Sequence, residues 1–166
     1  MPAHSAGLVV YRRGAGPDPV ALEVLLVHPG GPYWANKDDG AWSIPKGEHQ
    51  PDEDPLGVAR REFAEELGIA PPAGEARELG EVRQAGGKRV RAWAIAGDLD
   101  LSAVASNTFE MEWPPRSGER RSFPEIDRAE WLPMQVARTK ILAGQLPLLD
   151  RLVAMVSPGS GSSSGG

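Results

Sequence analysis

The sequence predicts a single domain of the α/β (α+β) class. Three observations carry the prediction. Two strand-like apolar runs near the N-terminus are separated by turn residues, a well-capped amphipathic helix lies in the middle, and a second strand pair is followed by helical segments toward the C-terminus. At 166 residues the chain fits one domain and leaves little room for another.

The first strand is read over residues 5–12, where Leu8, Val9, Val10 and Tyr11 run between Gly7 and Gly14. Residues 20–28, with Val20, Leu22, Val24, Leu25, Leu26 and Val27, form the second. The turn chemistry of residues 14–19 makes the two a hairpin. Residues 29–41 are a long loop carrying Tyr33 and Trp34, and Trp42, Ser43 and Ile44 form a short extended piece ended by Pro45. A helix follows: Asp54 suits its cap, Pro55 its first position and Gly68 the residue just past its end. On a wheel with Glu62 at zero, Leu56, Phe63 and Leu67 fall between about 100° and 140°, and Glu62, Glu65 and Glu66 between about −60° and +40°. The helix thus has an apolar stripe for the core and a separate stripe of three carboxylates.

Residues 79–84 and 88–96 read as paired strands around Gly86 and Gly87. The second alternates Val90, Ala92, Ala94 and Ala96 against Arg89, Arg91, Trp93 and Ile95, which predicts cover on both faces. A strand over 107–113 leads into Pro114 and Pro115, a short one spans 130–132, and helices at 134–143 and 147–156 meet at Gly144. Residues 157–166 are rich in Ser and Gly and are expected to be a flexible tail, leaving 1–156 as the domain.

The formal charge of −5 argues against binding duplex nucleic acid or an anionic membrane by electrostatics alone. With no cysteine there is no disulfide, thiolate zinc site or cysteine nucleophile, and a reducing compartment suits the chain. Residues 1–14 hold no apolar run of signal-peptide length, and no stretch approaches the roughly 18 apolar residues of a membrane span. A soluble cytoplasmic protein is expected. His4, His28 and His49 make no metal-ligand spacing, and Ser43 has no partnered histidine and aspartate in its sequence context.

Residues 47–69, GEHQPDEDPLGVARREFAEELGI, carry the chemistry. Three glutamates within one helical turn repel one another, and the nearest basic residues are Arg60 and Arg61. Such a cluster becomes favourable when a hard divalent cation sits on it. Mg²⁺ prefers carboxylate oxygens and retained water, and it bridges to phosphate oxygens, which lets an acidic protein bind an acidic substrate. The bland reading is a solvated charged face. The spacing weighs against that reading: Gly47, five residues, Glu53, seven residues, Arg61, Glu62, Phe63, one residue, Glu65, Glu66, one residue, Gly68, Ile69. It resembles the Nudix box, G-x5-E-x7-R-E-U-x-E-E-x-G-U with U apolar, at every specified position. The seven fixed residues would match by chance at roughly 10⁻⁷ per start.

The resemblance implies an α/β/α sandwich with a mixed β-sheet and a hydrolase using Mg²⁺, with Mn²⁺ able to substitute. By that resemblance Glu65 and Glu66 are the principal metal ligands, Glu62 is a further ligand or the base that activates water, and the carbonyl of Lys46 is a backbone ligand beside a tight turn at Gly47. Glu53 and Arg61 pair to tie the loop to the helix. The family's further downstream carboxylate falls to Glu110 and Glu112, with Glu119 and Glu125 as weaker candidates. Residues 106–115 also resemble a bacterial Nudix subgroup described as predicted NTP pyrophosphohydrolases.

Among the five tryptophans, Trp34 in the long loop and Trp113 beside the candidate carboxylates are candidates to contact a nucleobase, while Trp93 and Trp131 sit in strand patterns that favour the core. Lys46 is the lysine nearest the metal site and a candidate phosphate contact. The expected reaction is hydrolysis of a phosphoanhydride in a nucleoside diphosphate-linked substrate. A nucleoside triphosphate or dinucleoside polyphosphate ranks ahead of ADP-ribose or a nucleotide sugar. A non-catalytic nucleotide-binding module is the alternative, opposed by the presence of all four box glutamates. An acidic calcium module is opposed by the helical spacing of the carboxylates.

Overall fold

The computed structural model describes residues 3–14 and 21–156. The expected tail at 157–166, most of the turn at 14–19 and Val20 lie outside the described residues. In chain order the elements are β1 (His4–Arg13), β2 (Leu22–Pro29), β3 (Lys46–Glu48), α1 (Pro55–Leu67), β4 (Arg77–Arg83), β5 (Arg89–Ala96), β6 (Thr108–Glu112), β7 (Arg120–Pro124), β8 (Ile126–Pro133), α2 (Met134–Lys140) and α3 (Leu146–Val156). Among these, no helix is long and apolar enough to cross a membrane.

Six strands make one mixed sheet in the order β4-β5-β1-β2-β8, with β3 added on β1. β5 runs parallel to β1 from His4 opposite Arg89 to Tyr11 opposite Ala96. On its other edge β1 is shared. Its end pairs with β2 at Tyr11–Val24, and its start pairs with β3 at Gly7–Lys46. That shared edge explains β3, which has no apolar pattern of its own. Residues 46–48 become a strand because β1 offers unpaired amides and carbonyls before β2 begins. β6 and β7 pair separately, Phe109 opposite Phe123.

Side-chain alternation sorts the sheet into two cores. Ala6, Leu8 and Val10 of β1, with Trp93 and Ile95 of β5, pack under Val58, Phe63 and Leu67 of α1. Val9, Val90, Ala92 and Ala94 face the other way, against Ala137 of α2 and Leu148, Leu149 and Leu152 of α3. The result is the α/β/α sandwich, and β5 is covered on both faces as its alternation predicts. α1 begins and ends where its caps place it. Asp54 Oδ2 accepts from the Gly57 amide at 3.2 Å, Pro55 opens the helix, and Gly68 turns left-handed at φ 68°.

The departures lie where strands are polar or the chain turns inward. β8 is longer than the expected 130–132, because Asp127, Arg128 and Glu130 are exposed on an edge strand and mask its pattern. β7 is almost wholly exposed, so only its pairing with β6 makes it a strand. α2 stops at Lys140, before the expected 143, because Ile141 turns into the core and bridges Trp42.

Candidate active site

β3 passes beneath α1 at Gly47. A Cβ built on that glycine would lie 2.2 Å from Glu62 Cγ and 2.6 Å from its Oε2. The glycine therefore sits within a short strand and serves close approach, where the sequence suggested a tight turn. Arg61 reaches back as expected. Its Nη1 lies 3.4 Å from Glu53 Oε2, and Glu53 Oε1 accepts from the Gln50 amide at 2.8 Å. That amide, followed by Arg61, holds the Glu53 carboxyl below the usual range.

The three-carboxylate stripe divides. Glu65 is 54% exposed and faces Arg61 at 3.8 Å. Glu66 turns inward. Burial pushes its carboxyl up to about 7; the Lys46 ammonium and Lys46 amide oppose the rise, and Glu62 and Glu125 add to it. Glu62 is also raised, by burial first and Glu65 second, with Arg61 opposing and Glu125 contributing. Glu66 turns toward the start of β3, where its carboxylate accepts from the Lys46 amide.

Glu66 opens into a cleft of about 360 Å³. Lys46, Lys88, Gln84, Glu125 and Trp34 share its wall, and Val27, Ile44, Ile126 and Leu142 supply apolar lining. Burial lowers the Lys46 ammonium, Lys88 lowers it further, and Glu66 and Glu48 pull it back up. Lys88 lies 3.8 Å from Glu48. Two lysines crowded beside each other in a cleft make a place for an anion.

Lys88 was missed in the sequence, where it is merely the first residue of the expected strand 88–96. The parallel pairing of β5 with β1, together with β3 on the far edge of β1, brings it to Lys46 across 42 residues of chain. Glu125, a weaker candidate in the sequence, lines the cleft. Glu110 and Glu112 share one exposed face of β6 as their alternation predicts, but neither lines the cleft. Glu110 faces Arg120 at 3.8 Å. Glu112 accepts from the amides of Arg116 at 3.2 Å and Gly118 at 3.0 Å, closing the β6–β7 loop. Trp34 lines the cleft with Lys37 Nζ 5.1 Å from its ring centroid. Trp113 instead packs edge-on against Tyr33, centroids 5.4 Å apart.

Among the described residues, no three acidic or histidine side chains converge closely enough to cage a metal ion unaided. The donor chemistry nevertheless fits Mg²⁺, which is held by one or two carboxylates while keeping water and taking phosphate oxygens. Glu62 and Glu66 are hard oxygen donors whose charged forms burial and mutual repulsion disfavour, and a divalent cation relieves both penalties.

A sandwich that sets half-buried carboxylates and two neighbouring lysines around one cleft offers the chemistry to bind a phosphate compound. The family model of the NUDIX domain matches residues 1–152, and the chain belongs to that family and is a Nudix hydrolase. The Caenorhabditis elegans Ap4A hydrolase, solved as a binary complex, is 26% identical with a TM-score of 0.62, over 93% of this chain and 98% of that one. A mutT/nudix family protein from Listeria innocua is 16% identical, TM-score 0.62, over 96% and 97% of the two chains. The NUDIX domain of Shewanella oneidensis NrtR, complexed with ADP ribose, is 16% identical, TM-score 0.61, over 95% and 90%. The last two share the fold. No curated protein matches the sequence.

Proposed function

We propose that this Nudix hydrolase cleaves a phosphoanhydride bond of a nucleoside polyphosphate, with a dinucleoside polyphosphate as its first candidate substrate. The observation that carries the reading is the meeting of Lys46 and Lys88 with Glu66, Glu125 and Trp34 in one cleft. The likeness to the Ap4A hydrolase, over nearly the full length of both chains, supports the same substrate class.

In this reading the lysines bind the phosphate chain and Trp34 stacks on a base. Glu62, Glu65, Glu66 and the Lys46 carbonyl would hold Mg²⁺ or Mn²⁺. When bound, such an ion supplies charge neutralisation on phosphate oxygens and a more acidic water. Glu125 takes the proton from the attacking water at its carboxylate, and Arg61 with Glu53 keeps the loop at 48–53 against α1. Glu110, Glu112 and Trp113 have no substrate contact in this proposal. A cytoplasmic setting, which the absence of cysteine suits, belongs to the same proposal.

The test is a substrate panel with Mg²⁺ containing diadenosine tetraphosphate, nucleoside triphosphates and ADP-ribose, with products identified by mass spectrometry. Preferred turnover of diadenosine tetraphosphate, abolished by EDTA, supports the reading. Preference for ADP-ribose would move the substrate to the nucleotide sugars, and binding without turnover across the panel would sink the catalytic proposal.

A further inference from the structure

Trp34 stands on a segment with little core of its own, since residues 33–40 are all exposed. Lys140 and the Thr139 carbonyl hold Asp38, Asp39 and Gly40 from α2, and from within the core the segment is reached by His28 on β2, which is fully buried. Its Nε2 donates to the Lys37 carbonyl at 2.6 Å, and its Nδ1 lies 2.7 Å from Asp127 Oδ1 on β8. The carbonyl accepts from Nε2, and the Asp127 carboxylate fixes the ring from its other side. The imidazole also sits edge-on to Trp42 at 5.2 Å, and Trp42 Nε1 donates to Asp38 Oδ1 at 2.8 Å, which pins the next residue of the loop.

From Lys37 the constraint passes directly to Trp34. The Lys37 amide donates to the Trp34 carbonyl at 3.0 Å, and the Lys37 ammonium lies 5.1 Å from the Trp34 ring centroid. Neither His28 nor Asp127 lines the cleft that Trp34 lines. A buried polar ring outside the cleft lining that gives one nitrogen to this loop and the other to a carboxylate on β8 has a positioning task.

We propose that His28, oriented by Asp127, is a positioning residue that sets Trp34 over the cleft and so determines affinity for the base of the substrate. The inference rests on the reading of Trp34 as the base platform. Its signature is a rise in KM for a base-bearing substrate with kcat retained.

The experiment compares Trp34→Ala, His28→Leu and Asp127→Ala with the wild type in Mg²⁺. Three quantities are measured: KM and kcat for diadenosine tetraphosphate, inhibition by inorganic tripolyphosphate, which has no base, and hydrogen exchange of residues 31–40. Asp127→Ala leaves the buried ring in place and serves where His28→Leu fails to fold. Each variant should raise KM about tenfold, within the range of one lost stacking contact, and hold kcat within about twofold. Tripolyphosphate should inhibit all of them equally. The effect of Asp127→Ala should vanish in a Trp34→Ala background, because both act on one contact. Exchange at 31–40 should quicken in the His28 and Asp127 variants while α1 keeps its protection. Asp127→Asn, which keeps a hydrogen-bonding group there, should restore most of the KM. A raised KM in Trp34→Ala with unchanged KM and exchange in the other two would overturn the positioning role alone. An unchanged KM in Trp34→Ala would overturn the base platform and this inference with it. If the wild type does not turn over diadenosine tetraphosphate, the substrate reading fails, and unchanged exchange at 31–40 would still refute the anchoring.

Discussion

Glu62 lies so close across the backbone of Gly47 that a methyl group on the glycine would overlap its Cγ at 2.2 Å. One relationship thus sets both the height of β3 under α1 and the direction of a candidate metal ligand. The glycine of the Nudix box and its arginine-flanked glutamate, fifteen positions apart in sequence, are a packed pair.

Gly47→Ala should therefore damage activity more than stability. The added methyl must move Glu62 or β3, and overpacking of this kind costs roughly 1–3 kcal/mol. β3 is short and lies at the sheet margin, so the two cores survive. The expected result is a fall in kcat of about a hundredfold or more with a cooperative melt retained. Full activity in the alanine variant would show that Glu62 has room to spare.

The inward turn of Glu66 predicts the pH dependence of the metal-free protein. Its carboxyl is raised to about 7 by burial, above the ordinary carboxylate range. Between those limits the folded chain holds a proton that the unfolded chain releases, so stability is greatest at the acid end and falls as pH rises toward 7. In EDTA the melting temperature should drop across that window more steeply for wild type than for Glu66→Gln. Mg²⁺ should cancel most of the difference near pH 7, since the cation takes the charged form. Parallel wild-type and glutamine profiles in EDTA would refute the assignment. Turnover of the glutamine variant should fall by orders of magnitude.

Lys88 should matter for the phosphate chain and for nothing else. Among the described residues its one ion pair is with Glu48 at 3.8 Å, and it lies half-buried just before β5, so Lys88→Ala should leave the melting temperature within a degree or two. Loss of a charge-assisted phosphate contact should raise KM about tenfold, with a shallower salt dependence than wild type. A KM that does not move would take Lys88 out of the site.

The downstream carboxylate can be settled by three glutamine variants. Glu125 lines the cleft, whereas Glu110 faces Arg120 and Glu112 ties the β6–β7 loop. Glu125→Gln should cost about 10²–10⁴ in kcat if it is the base. Glu110→Gln should stay within about twofold, and Glu112→Gln should loosen the loop without removing catalysis. A large loss in Glu110→Gln with none in Glu125→Gln would reverse the assignment.

What the sequence by itself determined is local and periodic. Asp54, Pro55 and Gly68 bound α1 through caps that depend only on near neighbours. The apolar stripe of Leu56, Phe63 and Leu67 chose the buried face, and the two-residue alternation of β5 announced two covered faces. The spacing from Gly47 to Ile69 pointed to the family because it is contained in one loop and one helix. The tertiary structure decided how those elements face one another. Glu65 and Glu66 are adjacent on the same helix, and the wheel sets Glu66 nearer the apolar stripe, but that its neighbour there is the start of β3 while Glu65 meets solvent is a matter of packing. Lys88 reaches Lys46 only through parallel pairing across β1, and Glu125 rather than Glu110 lines the cleft because β8 joins the main sheet while β6 and β7 pair apart. Period and caps act over one or two turns of chain, whereas strand register joins residues dozens of positions apart, and the cleft is built from register.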